Sequence, residues 1–329
     1  MVRVLSDADI ASVLDLEALL PIVADAFEKQ RVGAVERPDR PHYSIGTGLD
    51  PDTPDEPTGT GLCMPAYIHG NAYAATKLVT VCEDNPERGL PTVTAQLTLA
   101  DAETGQPVSY LAGNRITSAR TGCIGGLAAR ELAVDGPLEL AVIGAGTQAR
   151  WQTRAIAAAV GVSRLDSIRV YSPSDSRLEC ARDLKSDLSV DVTPVSSPRE
   201  AVTNASVVVT TTTSTEPVFP GEALADGALV VAVGAYTAEM RELDDTTIER
   251  ASHIVADVPE EASETGDLRG HDDLEIRSFG DVLATGDGRQ SPDEIVVLAS
   301  VGSAVLDAAT AEFVLDRAED ADLGTTVPI

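Results

Sequence analysis

A lysine interrupts one of the most apolar stretches of this chain. Lys77 lies in "YAATKLVTV", between Ala75 and Val79, where an ammonium loses its water unless another polar group replaces it. Lysine is scarce: Lys29, Lys77 and Lys185 are the only three among 24 basic residues, set against 53 Asp plus Glu. A desolvated amine can bind a carboxylate or lend a proton to a nitrogen. The competing reading is an edge-strand lysine that blocks aggregation. The second chemical signal is a spacing. In "LELAVIGAGTQAR", Gly144-x-Gly146-x-x-Ala149 follows an apolar strand and opens a helix. Gly144 makes the tight turn, Gly146 lets the backbone approach a pyrophosphate, and Ala149 permits close helix–strand packing. The helix start, with Thr147 and Gln148, offers unpaired N–H groups to the anion. That chemistry is dinucleotide binding.

Further candidates fall at strand tips. The next strand ends in "IRVYSPSDSR", with no acid at Ser172 to accept from a ribose 2′-OH. Ser172, Ser174 and Arg177 therefore lean towards NADP(H) within a general NAD(P)H site; Arg177 also reads as a solvated helix residue. "VVVTTTTSTEP" places Thr211 and Thr212 at a carboxyl strand end, as a cofactor contact or a hydroxyl-rich turn. Gly234 and Gly302 complete the candidate cofactor set. "RGHDDLE" offers His271, Asp272 and Asp273, but consecutive loop residues are poor metal ligands, so no metal is expected.

These residues need elements to hold them. The chain opens with Ser6 and Asp9 in a capping-box variant, then Ile10, Val13, Leu14, Ala18, Leu19, Ile22, Val23 and Phe27 recur at helical spacing. A Pro-, Gly- and Asp-rich loop precedes a strand-like region, "LCMPAYI", "AYAATKLVTV", "TVTAQLTLAD" and "PVSYLAG", with "DAETGQP" as a hairpin turn. A helix is expected over about Thr117 to Leu132. Beyond "DGP", short apolar strands alternate with helices, which argues for a parallel sheet covered on both faces. The fold class is α/β, a Rossmann-type parallel sheet domain plus a smaller α+β substrate and dimerisation domain. The expected division is 1–115 plus 305–329 for the second and 116–304 for the first.

Composition narrows the setting. A net charge of −29 with 43% hydrophobic residues describes an acidic coat over a real core, suited to a salt-rich cytoplasm where repulsion is screened; the competing reading is a merely acidic mesophilic enzyme. Such a coat disfavours nucleic acid and anionic membranes. No segment reads as a signal peptide or membrane span. The four scattered cysteines show no metal spacing and read as reduced thiols.

The ordered set "MPAY", "TKLVTV", "DAETGQPVSYLAGNRITSARTG", "VIGAGTQAR", "VGAYTAEMREL" and "LASVGSAVLDAATAEFVLDRA" spans almost the whole chain and resembles the ornithine cyclodeaminase/mu-crystallin family. The resemblance implies a homodimeric, NAD(P)-dependent protein acting on carbon–nitrogen bonds next to a carboxylate. It implies Lys77 as the active-site lysine and Arg120 of "TSARTG" as a carboxylate clamp, although Arg120 also reads as an ordinary helix-surface arginine. Arg40 of "RPDRPHY" is a second clamp, with Arg37 competing for the same role. Where cyclodeaminases carry an aspartate after "GA", this chain has Tyr236, whose phenol does not replace a carboxylate near neutral pH. The departure favours reduction of a cyclic α-imino acid, such as 1-pyrroline-2-carboxylate, over cyclodeamination of ornithine. The resemblance also admits an alanine dehydrogenase type and a non-enzymatic NADP(H)-binding mu-crystallin type.

Overall fold

The computed structural model describes residues 1–271 and 273–328. The first third of the chain gives β1 (Val2–Leu5), α1 (Asp7–Val13), α2 (Leu16–Arg31), β2 (Val35–Glu36), β3 (His42–Ile45), β4 (Gly59–Ile68), β5 (Tyr73–Val81), β6 (Val93–Asp101), β7 (Pro107–Ala112) and α3 (Gly113–Leu132). An alternating run follows: β8 (Leu138–Ile143), α4 (Thr147–Val160), β9 (Leu165–Tyr171), α5 (Ser176–Leu188), β10 (Val192–Pro194), α6 (Pro198–Val202), β11 (Val207–Thr210) and β12 (Leu229–Ala232). Then come α7 (Asp245–Arg250), β13 (Ala251–Ala256), α8 (Pro259–Ala262), β14 (Ile276–Ser278), α9 (Phe279–Thr285), β15 (Ile295–Ala299), α10 (Ala304–Asp320) and β16 (Thr325–Val327).

The chain falls into two compact units, one of Met1–Asp15, Val32–Arg120 and Ala304–Ile329, the other of Leu16–Arg31 and Thr121–Ser303. The first holds a mixed sheet in the order β16-β1-β7-β6-β5-β4-β2, with β3 also on β4. Its strands alternate between a buried and a more open face, as a sheet covered on one side must. Met64, Lys77, Leu97 and Leu111 form one cross-sheet row, and all four are buried. Helix α10 packs over this face against β4 and β5. The expected capping box is present, with Ser6 and Asp9 exchanging bonds at the start of α1. The hairpin is also present: Asp101 accepts from the Thr104 N–H at 2.8 Å and from its hydroxyl at 2.6 Å, and Gly105 takes the positive φ of 69° that side chains disfavour.

The second unit is a parallel sheet ordered β10-β9-β8-β11-β12-β15-β13-β14. Its central strands are apolar without alternation, each residue of β11, β12 and β15 being buried, because helices cover both faces. The order reverses after β8, whose neighbours are β9 on one side and β11 on the other; such a switch point opens a crevice at the strands' carboxyl ends.

Two expectations shift. The single amino-terminal periodic run is two helices, interrupted at Leu14, which caps α1 in an extended conformation. The second of them, α2, belongs with the dinucleotide-type unit, not with the residues around it, because it packs on α9 and α4. Phe27 meets Phe279 edge-on, ring centroids 5.2 Å apart, a geometry that aromatic pairs favour. The helix expected from Thr117 begins a turn earlier, at Gly113.

Candidate active site

Strand alternation decides where Lys77 points. It shares the inward face of β5 with Ala75 and Val79, and β5 lies between β4 and β6. The edge-strand reading is therefore excluded, and with 1% exposure the ammonium needs a partner inside. That partner is Asp307, in the first turn of α10, where the helix dipole favours a carboxylate. Lys77 Nζ donates to Asp307 Oδ2 at 2.5 Å, and Arg120 Nε donates to Oδ1 of the same carboxylate at 3.0 Å. Arg120 is 5% exposed and Asp307 1%, so Arg120 is no surface residue.

The charges do not balance. Two buried cations share one anion, and the Arg40 guanidinium also acts on Lys77. Burial lowers the Lys77 pKa to about 8; Asp307 opposes the shift, while Arg120 and Arg40 reinforce it. Burial would raise Asp307, but Arg120 and then Lys77 overcome it and hold its pKa below the ordinary value. An excess of positive charge in a desolvated cluster is a receptor for one more anion. A guanidinium engaged through Nε still has four N–H donors on its terminal nitrogens, set for bidentate carboxylate binding. The cluster can hold an α-carboxylate and supply a proton beside it.

The second unit carries the glycine signature in the expected strand–turn–helix setting. Gly144 has φ 112°, and a Cβ there would lie 2.4 Å from Thr211 Oγ1. Only glycine fits that turn. Gly146 caps α4 with no side chain of its own, and a Cβ there would meet nothing within 4 Å. Space remains in front of the helix start, as a pyrophosphate requires. Ala149 is fully buried, and Gln148 Oε1, one residue earlier, is buried with no hydrogen-bond partner among the described residues. Thr147 stands exposed at the first position of α4. A dinucleotide fits these residues.

At the tip of β9, the hydroxyls of Ser172, Ser174 and Ser176 cluster, with Ser174 and Ser176 2.7 Å apart. Arg177 donates to the Ser174 carbonyl at 2.7 Å and pairs with Asp175 at 3.4 Å. Thr211 donates its N–H to the Ile143 carbonyl at 2.9 Å. Thr212 and Gly234 both direct N–H groups to Glu242, and Gly302 directs its own to Asp257 at 2.8 Å. Tyr236 is half-buried in the segment after β12. Lys77, Arg120 and Arg40 thus belong to the first unit, and the cofactor candidates with Tyr236 to the second.

Sequence reading missed Asp307, Glu242 and Asp257. The signal for Asp307 was an acid inside "SAVLDAATAEF", a run otherwise rich in small and apolar residues. Among the described residues no His, Cys, Asp and Glu cluster has the arrangement of a metal site; His271 lies 3.3 Å from Asp245, and Asp272 lies outside the described residues. The four cysteines are unbridged.

A parallel-sheet unit with a glycine-cradled helix start, in a chain that also buries a lysine–carboxylate–arginine cluster, defines a dinucleotide-binding protein equipped for a carboxylate substrate. The chain belongs to the ornithine cyclodeaminase/mu-crystallin family, whose profile matches residues 2–322. It is 34% identical, over 94% of its length and 93% of the relative's, to a Delta(1)-pyrroline-2-carboxylate/Delta(1)-piperideine-2-carboxylate reductase of Azospirillum brasilense. The structure of the Thermococcus litoralis Delta(1)-pyrroline-2-carboxylate reductase with NADH and L-proline superposes with a TM-score of 0.91 at 27% identity, covering 99% of this chain and 100% of that one. An archaeal alanine dehydrogenase dimer with bound NAD superposes at 0.87 and 28% identity, covering 99% of each.

Proposed function

We propose that this protein is an NAD(P)H-dependent reductase of small cyclic α-imino acids, 1-pyrroline-2-carboxylate being the type substrate. The observation that carries the reading is the buried cluster in which Lys77 and Arg120 share Asp307. Its excess positive charge suits one carboxylate, and its lysine titrates close to the working pH, where proton transfer is most effective. The chemistry of the named relatives supports the same substrate class.

Reduction of the imine adds a hydride to carbon and a proton to nitrogen. Reduced nicotinamide, when bound, supplies the hydride. Arg120, assisted by Arg40, holds the substrate carboxylate and so fixes the neighbouring imine carbon. Lys77, mostly protonated below its pKa of about 8, stabilises the bound anion and gives a proton to the ring nitrogen. Asp307 keeps the two cations apart from each other and oriented. Tyr236 stands where the resemblance gives cyclodeaminases an aspartate, a departure that favours imine reduction over ammonia release.

Three finer features belong to the same proposal. The serine cluster and Arg177 at the tip of β9 favour NADPH over NADH, by a small margin because Arg177 is already engaged by Ser174 and Asp175. A homodimer is supported by the dimeric relative and by the outward row of Val4, Tyr110, Thr98 and Thr76 across the first sheet, in which Tyr110 is 45% exposed. The charge of −29 suits a salt-rich cytoplasm, and no helix of the described residues is long and apolar enough to cross a membrane.

The test is oxidation of NADPH or NADH by purified protein in concentrated KCl with 1-pyrroline-2-carboxylate, followed by absorbance. Consumption of reduced cofactor with formation of proline is expected. Ammonia and proline from L-ornithine without net change in NAD⁺ overturns the reading in favour of a lyase, and cofactor binding without turnover of either compound favours a binding protein.

A further inference from the structure

Glu242 is the most unusual group of the second unit outside the signature. Its side chain is fully buried, and among the described residues its hydrogen-bond partners are neutral donors. Oε2 accepts from the Thr210 hydroxyl at 2.7 Å and the Gly234 N–H at 2.8 Å, and Oε1 accepts from the Thr212 N–H at 2.6 Å. Thr210 ends β11, Thr212 lies in the loop after it, and Gly234 lies in the loop after β12. One carboxylate therefore ties together two loops at the carboxyl end of a parallel sheet. The fit is close: a Cβ on Gly234 would stand 2.1 Å from the Thr212 carbonyl and 2.6 Å from Glu242 Cδ.

The carboxylate is itself held. The N–H groups of Glu242 and Leu243 donate to Asp267 Oδ1 at 2.6 and 2.8 Å, and Asp267 is 2% exposed. The adjacent Arg241 does not neutralise Glu242, because its guanidinium turns to the Leu243 carbonyl and Asp245. Burying an anion among neutral donors beside a second carboxylate opposes stability. A neutral side chain would cross-link the loops at lower cost. Such expense is characteristic of functional sites.

We infer that Glu242 is a positioning residue for cofactor binding, which sets the spacing of the Thr211–Thr212 and Gly234 segments against the dinucleotide. The inference rests on the reading that this unit binds a nicotinamide dinucleotide, because ligands of open parallel sheets lie at the carboxyl strand ends. The ionised carboxylate accepts all three donors at once, whereas the protonated form surrenders an acceptor position to its own O–H. Burial, reinforced by Asp267 and opposed by the three donors, raises its pKa to about 7. Asp267 is the ionisable group acting on it, and Arg241 the nearest cation in sequence. Cofactor affinity therefore falls as the pH drops through neutrality.

The experiment is NADH binding, followed by cofactor fluorescence across the neutral pH range; NADH carries no 2′-phosphate to titrate there. Glu242→Gln preserves size but turns an NH₂ group towards at least one of the N–H donors. It should weaken NADH on the order of tenfold and abolish the wild-type decline around pH 7. Thr210→Val removes one donor and keeps the carboxylate, so it should move the midpoint of that decline to higher pH. Wild-type affinity and pH profile in Glu242→Gln overturn the inference. If that variant does not fold, an unmoved midpoint in Thr210→Val overturns it instead. Wild-type protein that binds neither NADH nor NADPH removes the cofactor reading and this inference together. Wild-type protein that binds NADH with the stated pH dependence but leaves 1-pyrroline-2-carboxylate unreduced removes only the substrate reading.

Discussion

Asp307→Asn isolates the role of the shared carboxylate in the active cluster. The amide keeps the shape of the carboxylate and one acceptor oxygen, but it removes the charge shared by Lys77 and Arg120. A hydrogen bond to a charged group contributes about 1.5–3 kcal/mol, and one pKa unit corresponds to about 1.4 kcal/mol. Without the carboxylate, the Lys77 pKa should fall by about one to two units from its value of about 8. At pH 8 the protonated fraction then drops roughly 5- to 50-fold, and the rate of imine reduction drops with it. The assay is kcat/KM for 1-pyrroline-2-carboxylate against pH, with melting curves to establish that the variant is folded. The alkaline limb should move towards neutrality by about one to two units, with activity recovering at lower pH. Loss that persists at low pH measures the share of Asp307 in placing Arg120. A folded variant whose alkaline limb stays near pH 8 refutes the role given to Asp307.

Lys77→Met should abolish turnover and leave the NADH dissociation constant within about twofold, by direct titration; an active variant removes Lys77 from the mechanism. In the oxidative direction the same lysine must accept a proton, so proline oxidation should rise with pH through about 8, opposite in sign to reduction. Gly144→Ala places a methyl 2.4 Å from Thr211 Oγ1 at φ 112°, and urea unfolding should show a loss of at least about 1–3 kcal/mol together with weaker NADH binding. Glu242 binds its proton more tightly in the folded state, so its contribution to stability is greatest at acid pH. That contribution falls as the pH rises from about 4.5 to about 7; relative to Glu242→Gln, wild-type stability should decline by about 3 kcal/mol over that window.

The elements that sequence periodicity reveals best are those whose environment is uniform. The buried strands of the parallel sheet and the glycine turn at Gly144 were legible because burial on both faces demands continuous apolar residues and the turn demands glycine. Lys77 was legible as a chemical oddity, and the reading of a reductase agrees with the activity named for the relatives. The buried acids were not legible. Asp307, Glu242 and Asp257 stand among 53 acidic residues, and nothing local separates a carboxylate paired in the core from one hydrated on the coat. The partner of Lys77 is 230 residues away in sequence. The grouping of α2 with the second unit was hidden for a similar reason: its apolar stripe shows that it packs, but not against what.

The position of α10 has a consequence for biosynthesis. Lys77 and Asp307 are separated by 230 residues, and most of the intervening chain, Thr121–Ser303, builds the second unit. At roughly 5–20 residues per second, a ribosome needs roughly 10–50 s to traverse that distance. Over this interval the strands of the nucleotide-binding sheet emerge one after another, β15 (Ile295–Ala299) only shortly before Asp307, and throughout it the lysine lacks the carboxylate that keeps it charged in the core. The buried cluster is thus completed late in translation, and a chain halted before α10 lacks Asp307 however well its nucleotide-binding sheet has formed.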